Sequence, residues 1–302
     1  MNSKVHVRVP ATTGNLGSGF DCVGMALGLY NVIAFEQTEN GLEVTVEGEG
    51  AADIPRNEDN VCIKAARIVF EKIGWSPPGL SVHMDHSIPV SRGLGSSGVA
   101  IVAGAVGANE LAGRPLNTSE LLRICTDLEG HPDNVVPSLL GGLSVSGERD
   151  NKIIYQTYPI PSQLKAVVAI PDFTLDTTTA REALPKQVSM DDAIYNLCSV
   201  GMLIGCLISS RYDALRSGMS DRLHQPYRAP LIPGLSEVIS AALDSGAHGA
   251  ALSGSGPTAI ALATDSFETI GQSMVAAFDQ HHIASQIRIL DIDNSGCRTD
   301  PS

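Results

Sequence analysis

The run Pro89-Val90-Ser91-Arg92-Gly93-Leu94-Gly95-Ser96-Ser97-Gly98 gathers glycines and hydroxyls between a strand-like segment and a long apolar helix-like one. Glycines allow sharp turns and let main chain approach a ligand closely. The helix that follows opens with unpaired N–H groups and a partial positive charge. That pairing of features binds phosphate. Ser96 and Ser97 add hydroxyls suited to phosphate oxygens or to a magnesium ion. The chemistry nominated first is nucleotide or phosphate binding.

Residues 93–98 also fit G-x-G-x-x-G. A dinucleotide turn would follow the first strand, with an acid about 20 residues on at the end of a second strand. Here the loop lies deep in the chain, and Glu110 falls inside a helical pattern. A protein-kinase loop would need V-A-I-K, H-R-D and D-F-G, none of which is present. The Walker form fails for want of G-K-[ST]. A phosphate loop of the form P-x-x-x-G-L-G-S-S matches letter for letter. The plain alternative is a glycine turn that only packs a helix on a sheet. Two further segments weigh against it: the polar, glycine-flanked loop at 9–21 and a second glycine turn at 252–258, Leu252-Ser253-Gly254-Ser255-Gly256-Pro257-Thr258.

The surrounding pattern supplies elements to hold these loops. Val5, Val7 and Val9 alternate with polar residues and predict a first strand ended by Pro10. Strands are expected over 30–36 and 42–47, joined by an Asn40-Gly41 hairpin turn. A helix over 60–73 has Asn60 as N-cap and Gly74 as stop. A strand at 80–85 precedes the phosphate loop. The helix at 97–111 is apolar nearly all round and should be central. A helix at 118–128, capped by Thr118 or Ser119, leads to strands at 142–147 and 152–158. After Pro159 and Pro161 come a strand at 164–170, a long helix at 190–209, a helix at 236–243, strands at 247–252 and 258–263, a helix at 266–280 and a strand at 283–290. The tail beyond Asp293 should fray. This mixed order predicts two α+β domains, 1–158 and 159–302.

The chain has 302 residues, 43% hydrophobic and 18% charged, which is an ordinary globular composition with room for two cores. A net charge of −13 argues against nucleic acid and anionic membranes as partners. None of the six cysteines forms C-x-x-C, which points to reduced thiols in a cytoplasmic protein. There is no signal-like N-terminus, and no apolar run is expected to span a bilayer. The paired histidines His83/His86 and His281/His282 lack zinc-site spacing.

The three loops in this order resemble the superfamily of small-molecule kinases named for galactokinase, homoserine kinase, mevalonate kinase and phosphomevalonate kinase. The resemblance covers nearly the whole chain. Its homoserine-kinase branch is suggested by V-P-A-T-T-x-N-L-G-x-G-F-D at 9–21, by Glu129-Gly130-His131-Pro132-Asp133-Asn134-Val135, by Gly141-Gly142, by Thr177-Thr178-Thr179-Ala180-Arg181 and by 222–228. Gly14 and Ser18 stand where the family more often has alanine and proline; neither change removes a polar group.

The resemblance implies an N-terminal domain like ribosomal protein S5 domain 2 and a ferredoxin-like C-terminal domain, with ATP in the cleft between. It implies transfer of the ATP γ-phosphoryl to the hydroxyl of L-homoserine, in threonine biosynthesis. ATP would be held by Asn60 and by Pro89, Val90, Ser91, Arg92, Gly93, Leu94, Gly95, Ser96, Ser97, Gly98 and Val99. Mg2+ would take Ser97 and Glu129; a carboxylate at a helix C-terminus opposes the dipole and wants such a reason. Asn60 could cap its helix, contact adenine, or both. Homoserine's carboxylate calls for a forked guanidinium, Arg181 or Arg228, and its ammonium for Asp21. Asn15, His131 and Thr177 complete the substrate set, and Asn15, Ser97, Glu129 and Arg181 the catalytic one. No catalytic base is assigned. Family members are often dimers, which allows a homodimer.

Three rivals stand beside this reading. Another kinase of the superfamily would act on mevalonate or a sugar alcohol. An NAD-dependent dehydrogenase would use the G-x-G-x-x-G match. A silent sensor would keep the fold without turnover.

Overall fold

A computed structural model describes residues 3–301 of the chain. From the N-terminus it runs β1 (Lys4–Gly14), β2 (Val23–Thr38), β3 (Gly41–Gly48), α1 (Val61–Ile73), β4 (Gly79–His86), α2 (Ser96–Leu111), α3 (Thr118–Glu129), α4 (Pro132–Leu140), β5 (Leu143–Arg149) and β6 (Lys152–Tyr158). The second half has β7 (Lys165–Pro171), α5 (Thr177–Glu182), α6 (Met190–Ser209), α7 (Leu215–Gly218), α8 (Gln225–Arg228), α9 (Leu235–Asp244), β8 (Gly249–Leu252), β9 (Ala259–Ala263), α10 (Phe267–Asp279), β10 (Ser285–Asp291) and β11 (Arg298–Pro301).

The expected α+β organisation holds, in two sheets. The first has the order β11-β1-β2-β4-β3, with β5 and β6 joined to it through β2. The second is β10-β7-β9-β8, antiparallel throughout. Its chain order, β7, helices, β8, β9, α10, β10, is the β-α-β-β-α-β arrangement of a ferredoxin-like domain.

Several elements differ from the sequence reading. Pro10 does not end the first strand: β1 continues to Gly14, and the pairing with β2 shifts register between Pro10 and Ala11. The bulge absorbs the proline's missing donor. The Asn40-Gly41 turn joins β2 to β3, but these strands do not form a hairpin. β4 lies between them, antiparallel to β2 and parallel to β3. The N-cap of α3 is Asn117, which accepts from Glu120 N–H while the Glu120 side chain accepts from Asn117 N–H, a capping box. The tail does not fray: β11 pairs with β1 and returns the C-terminal end to the first sheet.

The two cores follow the sheets, but the first crosses residue 158. It takes in Leu164 and Ala166 with β7, Leu203 and Leu207 from α6, and Ile260 and Leu262 from β9. The second packs α9 and α10 on the other face of the ferredoxin-like sheet. α2 is buried from Gly98 to Leu111 apart from Ala100, as its all-apolar sequence requires. Gly104 and Gly107 sit where a Cβ would meet the Cys62 carbonyl of α1 and the Phe35 ring of β2. The apolar segment centred on 200–208 extends into a 20-residue helix, α6, which has the length and hydropathy to cross a bilayer. This corrects the expectation that no run reaches spanning length. One side of α6 packs on the protein through Asn196, Ser199, Leu203, Cys206 and Leu207.

Candidate active site

The phosphate loop connects β4 to α2, and three of its residues are left-handed: Ser91 (φ 54°), Gly93 (φ 78°) and Gly95 (φ 70°). Its carbonyls are bound by protein. Ser91 O accepts from Leu175 N–H, Arg92 O from Thr258 N–H, Gly93 O from Ser253 Oγ at 2.6 Å, and Leu94 O from Thr12 N–H. Thus the 9–21 and 252–258 loops clamp the phosphate loop. α2 starts at Ser96 with no side-chain cap, and Val99 N–H is the first to find an intrahelical acceptor, Gly95 O. The amides of Ser96, Ser97 and Gly98 are the open donors an anion would meet.

These loops wall a cleft of about 610 Å³, counted out to its mouth in open solvent. Twelve of the sequence-nominated residues line it: Asn15, Asp21, Ser91, Gly93, Gly95, Ser96, Ser97, Glu129, His131, Thr177, Arg181 and Arg228. Pro89, Val90, Arg92, Leu94, Gly98 and Val99 belong to the loop or the first turn of α2 but do not line the cleft. Arg92 is turned outward, to Pro171 O and to Asp172 at 3.1 Å. Asn60 also lies outside, 2% exposed. Its Oδ1 caps α1 at Cys62 N–H, and its Nδ2 donates to Pro55 O. The capping role is therefore filled in full.

Ser97 Oγ donates to Glu129 Oε2 at 2.8 Å, which joins the start of α2 to the end of α3. Burial raises the Glu129 pKa above the usual carboxylate range, with the Ser97 hydrogen bond and nearby His131 pulling it back. The two side chains offer only oxygen donors beside open backbone amides, a set that fits a hard cation shared with phosphate. A divalent cation would also relieve the penalty of that partly desolvated carboxylate. Asp21, His131 and Asp133 bring one ligand atom each within 4.8 Å of one another. Those atoms are already engaged, Asp21 with Arg181 and His131 Nδ1 with Asp133 at 2.5 Å. Burial alone would lower the His131 pKa, but the Asp133 carboxylate raises it.

The amino-acid end of the cleft is built from Asp21, Arg181 and Arg228. Asp21 is left-handed (φ 54°), and its N–H is fixed by Asn15 Oδ1. Asn15 Nδ2 in turn donates to Gly254 O. Arg181 grips Asp21 with both terminal nitrogens, at 2.8 and 3.0 Å. Read from sequence, Asp21 and Arg181 serve opposite ends of a substrate; the structure pairs them with each other. Arg228 is 1% exposed and has no carboxylate in contact among the described residues. It donates to Ala180 O and Gly254 O and meets His224 Nδ1. Burial, and then the charge of Arg181, lower its pKa to about 10, so it stays a cation at neutral pH.

Several supports lie beyond the nominated site residues; of these, Asp133 and Asn134 are expected from sequence only to brace the turn before the next helix. Gly254 and Ser255 line the cleft from the second glycine turn. Asn134 Oδ1 accepts from Thr12 Oγ1 at 2.8 Å, and Asp133 is 1% exposed beneath His131. Buried His224 bonds Gly17 O through Nε2 and stacks on Phe20, whose ring also lies 5.3 Å from the Arg228 guanidinium. The H-P-D-N and R-L-H-Q-P-Y-R runs were the available signals for the polar ones.

Comparison with known proteins agrees with this geometry. The model of the GHMP kinases N-terminal domain matches residues 60–142, and that of the GHMP kinases C-terminal domain matches 203–280. The homoserine kinase of Moorella thermoacetica is 45% identical over 96% of this chain and 98% of its own length. That of Desulfitobacterium hafniense is 43% identical over 97% and 98%. The crystal structure of homoserine kinase from Cytophaga hutchinsonii superposes with a TM-score of 0.90 at 30% identity, covering 99% of this chain and 98% of that one. With two matched domains, full-length relatives and one shared fold, the chain belongs to the homoserine kinase family of the GHMP kinases.

Proposed function

We propose that the chain uses ATP and Mg2+ to phosphorylate the side-chain hydroxyl of L-homoserine, giving O-phospho-L-homoserine for threonine biosynthesis. The observation that carries the substrate is Arg228, a buried guanidinium without a carboxylate partner, in the same cleft as Asp21 and the phosphate loop. A carboxylate on the ligand completes Arg228, and an ammonium suits Asp21. The amides of Ser96, Ser97 and Gly98 bind phosphate oxygens. Ser97 and Glu129 would hold Mg2+, which neutralises phosphate charge when bound. Asn15, through Gly254 and Asp21, fixes the loop that presents the acceptor; Thr177 and His131 border it. The work of this site is alignment and charge neutralisation, which suits phosphoryl transfer.

The reading also takes in residues 89–99 and, beside its capping role, Asn60 at the nucleotide, a division of the chain near residue 158 that the first core bridges, a cytoplasmic location, and no nucleic-acid or membrane partner. An ADP-release assay with L-homoserine, mevalonate and a sugar alcohol tests the substrate. Turnover on homoserine is expected; turnover on mevalonate alone overturns the reading. NADH binding in a fluorescence titration would instead favour the dehydrogenase rival, and absence of all turnover the silent sensor.

A further inference from the structure

We propose, on the homoserine reading above, that buried His224 is a positioning residue for substrate recognition, its Nδ1 lone pair aiming the guanidinium of Arg228 at the acceptor carboxylate. His224 stands just before α8 and is fully buried. Its Nε2 lies 2.7 Å from Gly17 O in the 9–21 loop. A carbonyl oxygen only accepts, so the ring proton sits on Nε2. Burial holds the ring's pKa below the usual histidine value, against the pull of Asp221. The imidazole is therefore neutral at neutral pH, and Nδ1 carries a lone pair. Facing that lone pair is Arg228 Nη1, at 3.2 Å. A guanidinium has only donors, so this bond runs from arginine to histidine. The other neutral tautomer would satisfy neither Gly17 nor Arg228.

The bonds around Arg228 show what the contact achieves. Nε donates to Ala180 O at 3.2 Å, and Nη1 also reaches Gly254 O at 3.3 Å. Nη2 finds no acceptor among the described residues. That nitrogen, with both its donors open, is left for a ligand in the cleft that Arg228 lines. The imidazole aiming the fork is itself immobilised. Gly17 holds its far nitrogen, Phe20 stacks on it with ring centroids 5.1 Å apart, and the His224 amide donates to Asp221 Oδ2 at 2.9 Å. A fork fixed in advance loses less freedom when it takes a carboxylate. The nature of the acceptor matters as much as its place. The Asp221 carboxylate accepts from the amides of Leu223, His224 and Gln225 and does not contact the guanidinium. Arg228 meets a neutral lone pair instead, which orients the guanidinium without cancelling the charge that a substrate carboxylate needs.

Steady-state kinetics of substitutions at this position test the role. Asparagine sets an amide oxygen near the place of Nδ1, glutamine sets an amide N–H near the place of Nε2, and phenylalanine keeps only the ring. His224→Phe should raise the Michaelis constant for homoserine about tenfold, the loss of one hydrogen bond to a charged group. Its kcat should change little, as expected when a binding interaction is removed. His224→Asn should return the constant to within about threefold of wild type, and His224→Gln should not. With 3-aminopropan-1-ol, which has no carboxylate, kcat/KM should be nearly the same for wild type and every variant. A ring that only braced Gly17 would give the reverse, with glutamine rescuing, asparagine failing and losses on both acceptors; that result overturns the proposal. Should the variants not fold, ring-nitrogen NMR of histidine-labelled wild type decides. The Nε2–H tautomer is expected for His224 at neutral pH, and an Nδ1–H tautomer or an imidazolium overturns the proposal. A wild type inactive on homoserine would instead remove the kinase reading, while the tautomer still decides whether His224 offers its lone pair to Arg228.

Discussion

Replacing Arg228 by methionine keeps the aliphatic stem and removes the charge. The wild-type guanidinium is 1% exposed and donates to the Ala180 and Gly254 carbonyls, with no carboxylate to balance it. Arg181, the other arginine of the cleft, is already neutralised by Asp21 through two short bonds. The carboxylate of homoserine must therefore draw mainly on Arg228. A charge-assisted hydrogen bond in a site partly open to water is worth about 2 to 3 kcal/mol, or ~30- to 150-fold at 1.4 kcal/mol per decade. The Michaelis constant for homoserine should rise by that factor, while that for ATP changes less than about threefold. The control acceptor is 3-aminopropan-1-ol, which is homoserine without its carboxylate. Wild type and Arg228→Met should use it with nearly equal kcat/KM, since the lost interaction is absent for both. Equal losses on both acceptors would show that Arg228 only braces α5 and the 252–258 turn, and would refute the carboxylate assignment.

Glu129→Gln should lower turnover at limiting Mg2+ while changing homoserine affinity little; an unchanged rate across a Mg2+ titration removes it from the metal site. The same variant should melt at a higher temperature at neutral pH. A carboxyl whose folded pKa is raised favours folding below its unfolded pKa, and that contribution is lost as pH rises through the folded pKa. The stability gain of Glu129→Gln should thus shrink as pH falls toward the ordinary carboxylate range, as calorimetry at stepped pH would show. Asp21→Asn should raise the Michaelis constant for homoserine about tenfold but leave 4-hydroxybutanoate, which lacks the ammonium, little changed. Gly95→Ala forces a side chain into a left-handed residue against Thr12 Oγ1, itself held by Asn134. The strain is about 1–2 kcal/mol before the clash is counted, so both thermal stability and ATP affinity should fall; retention of wild-type ATP affinity would separate the loop from the nucleotide.

Local signals in the chain were read correctly where one residue type settles the matter. Asn60 and Gly74 bracket α1 because an amide oxygen caps Cys62 N–H and Gly74 accepts φ 67°. α6 was read at the bounds observed, where Ser189 caps it and no proline interrupts it. The errors lie where partners distant in sequence decide. The Asn40-Gly41 turn is real, yet nothing near it says that β4, some forty residues on, will slide between the two strands. The tail 298–301 has no periodicity, and becomes a strand only because β1 offers a free edge. α4 was not predicted, although Pro132 at its first turn suits a helix start; Pro137 lies inside it and obscures the helical pattern. The site shows the same division. Its residue types and loops were legible, whereas the Asp21–Arg181 bridge, the orientation of Arg92 and the support of Phe20 by His224 depend on three loops meeting in space.

The bridge bears on how the cleft tells an amino acid from a plain hydroxy acid. Asp21 and Arg181 satisfy each other, and breaking them apart would strand a partly buried carboxylate. An ammonium gives Asp21 a replacement partner, so the exchange leaves no charge uncompensated and frees Arg181 to face the phosphates. A carboxylate without an amine can reach Arg228 but offers Asp21 nothing, so the bridge stays shut and Arg181 stays engaged. Discrimination against mevalonate-like acceptors then needs no steric block. On the proposed reading it would come from a salt bridge that one substrate can replace and the other cannot, its two ends held by Asn15 on one loop and by α5 on the other.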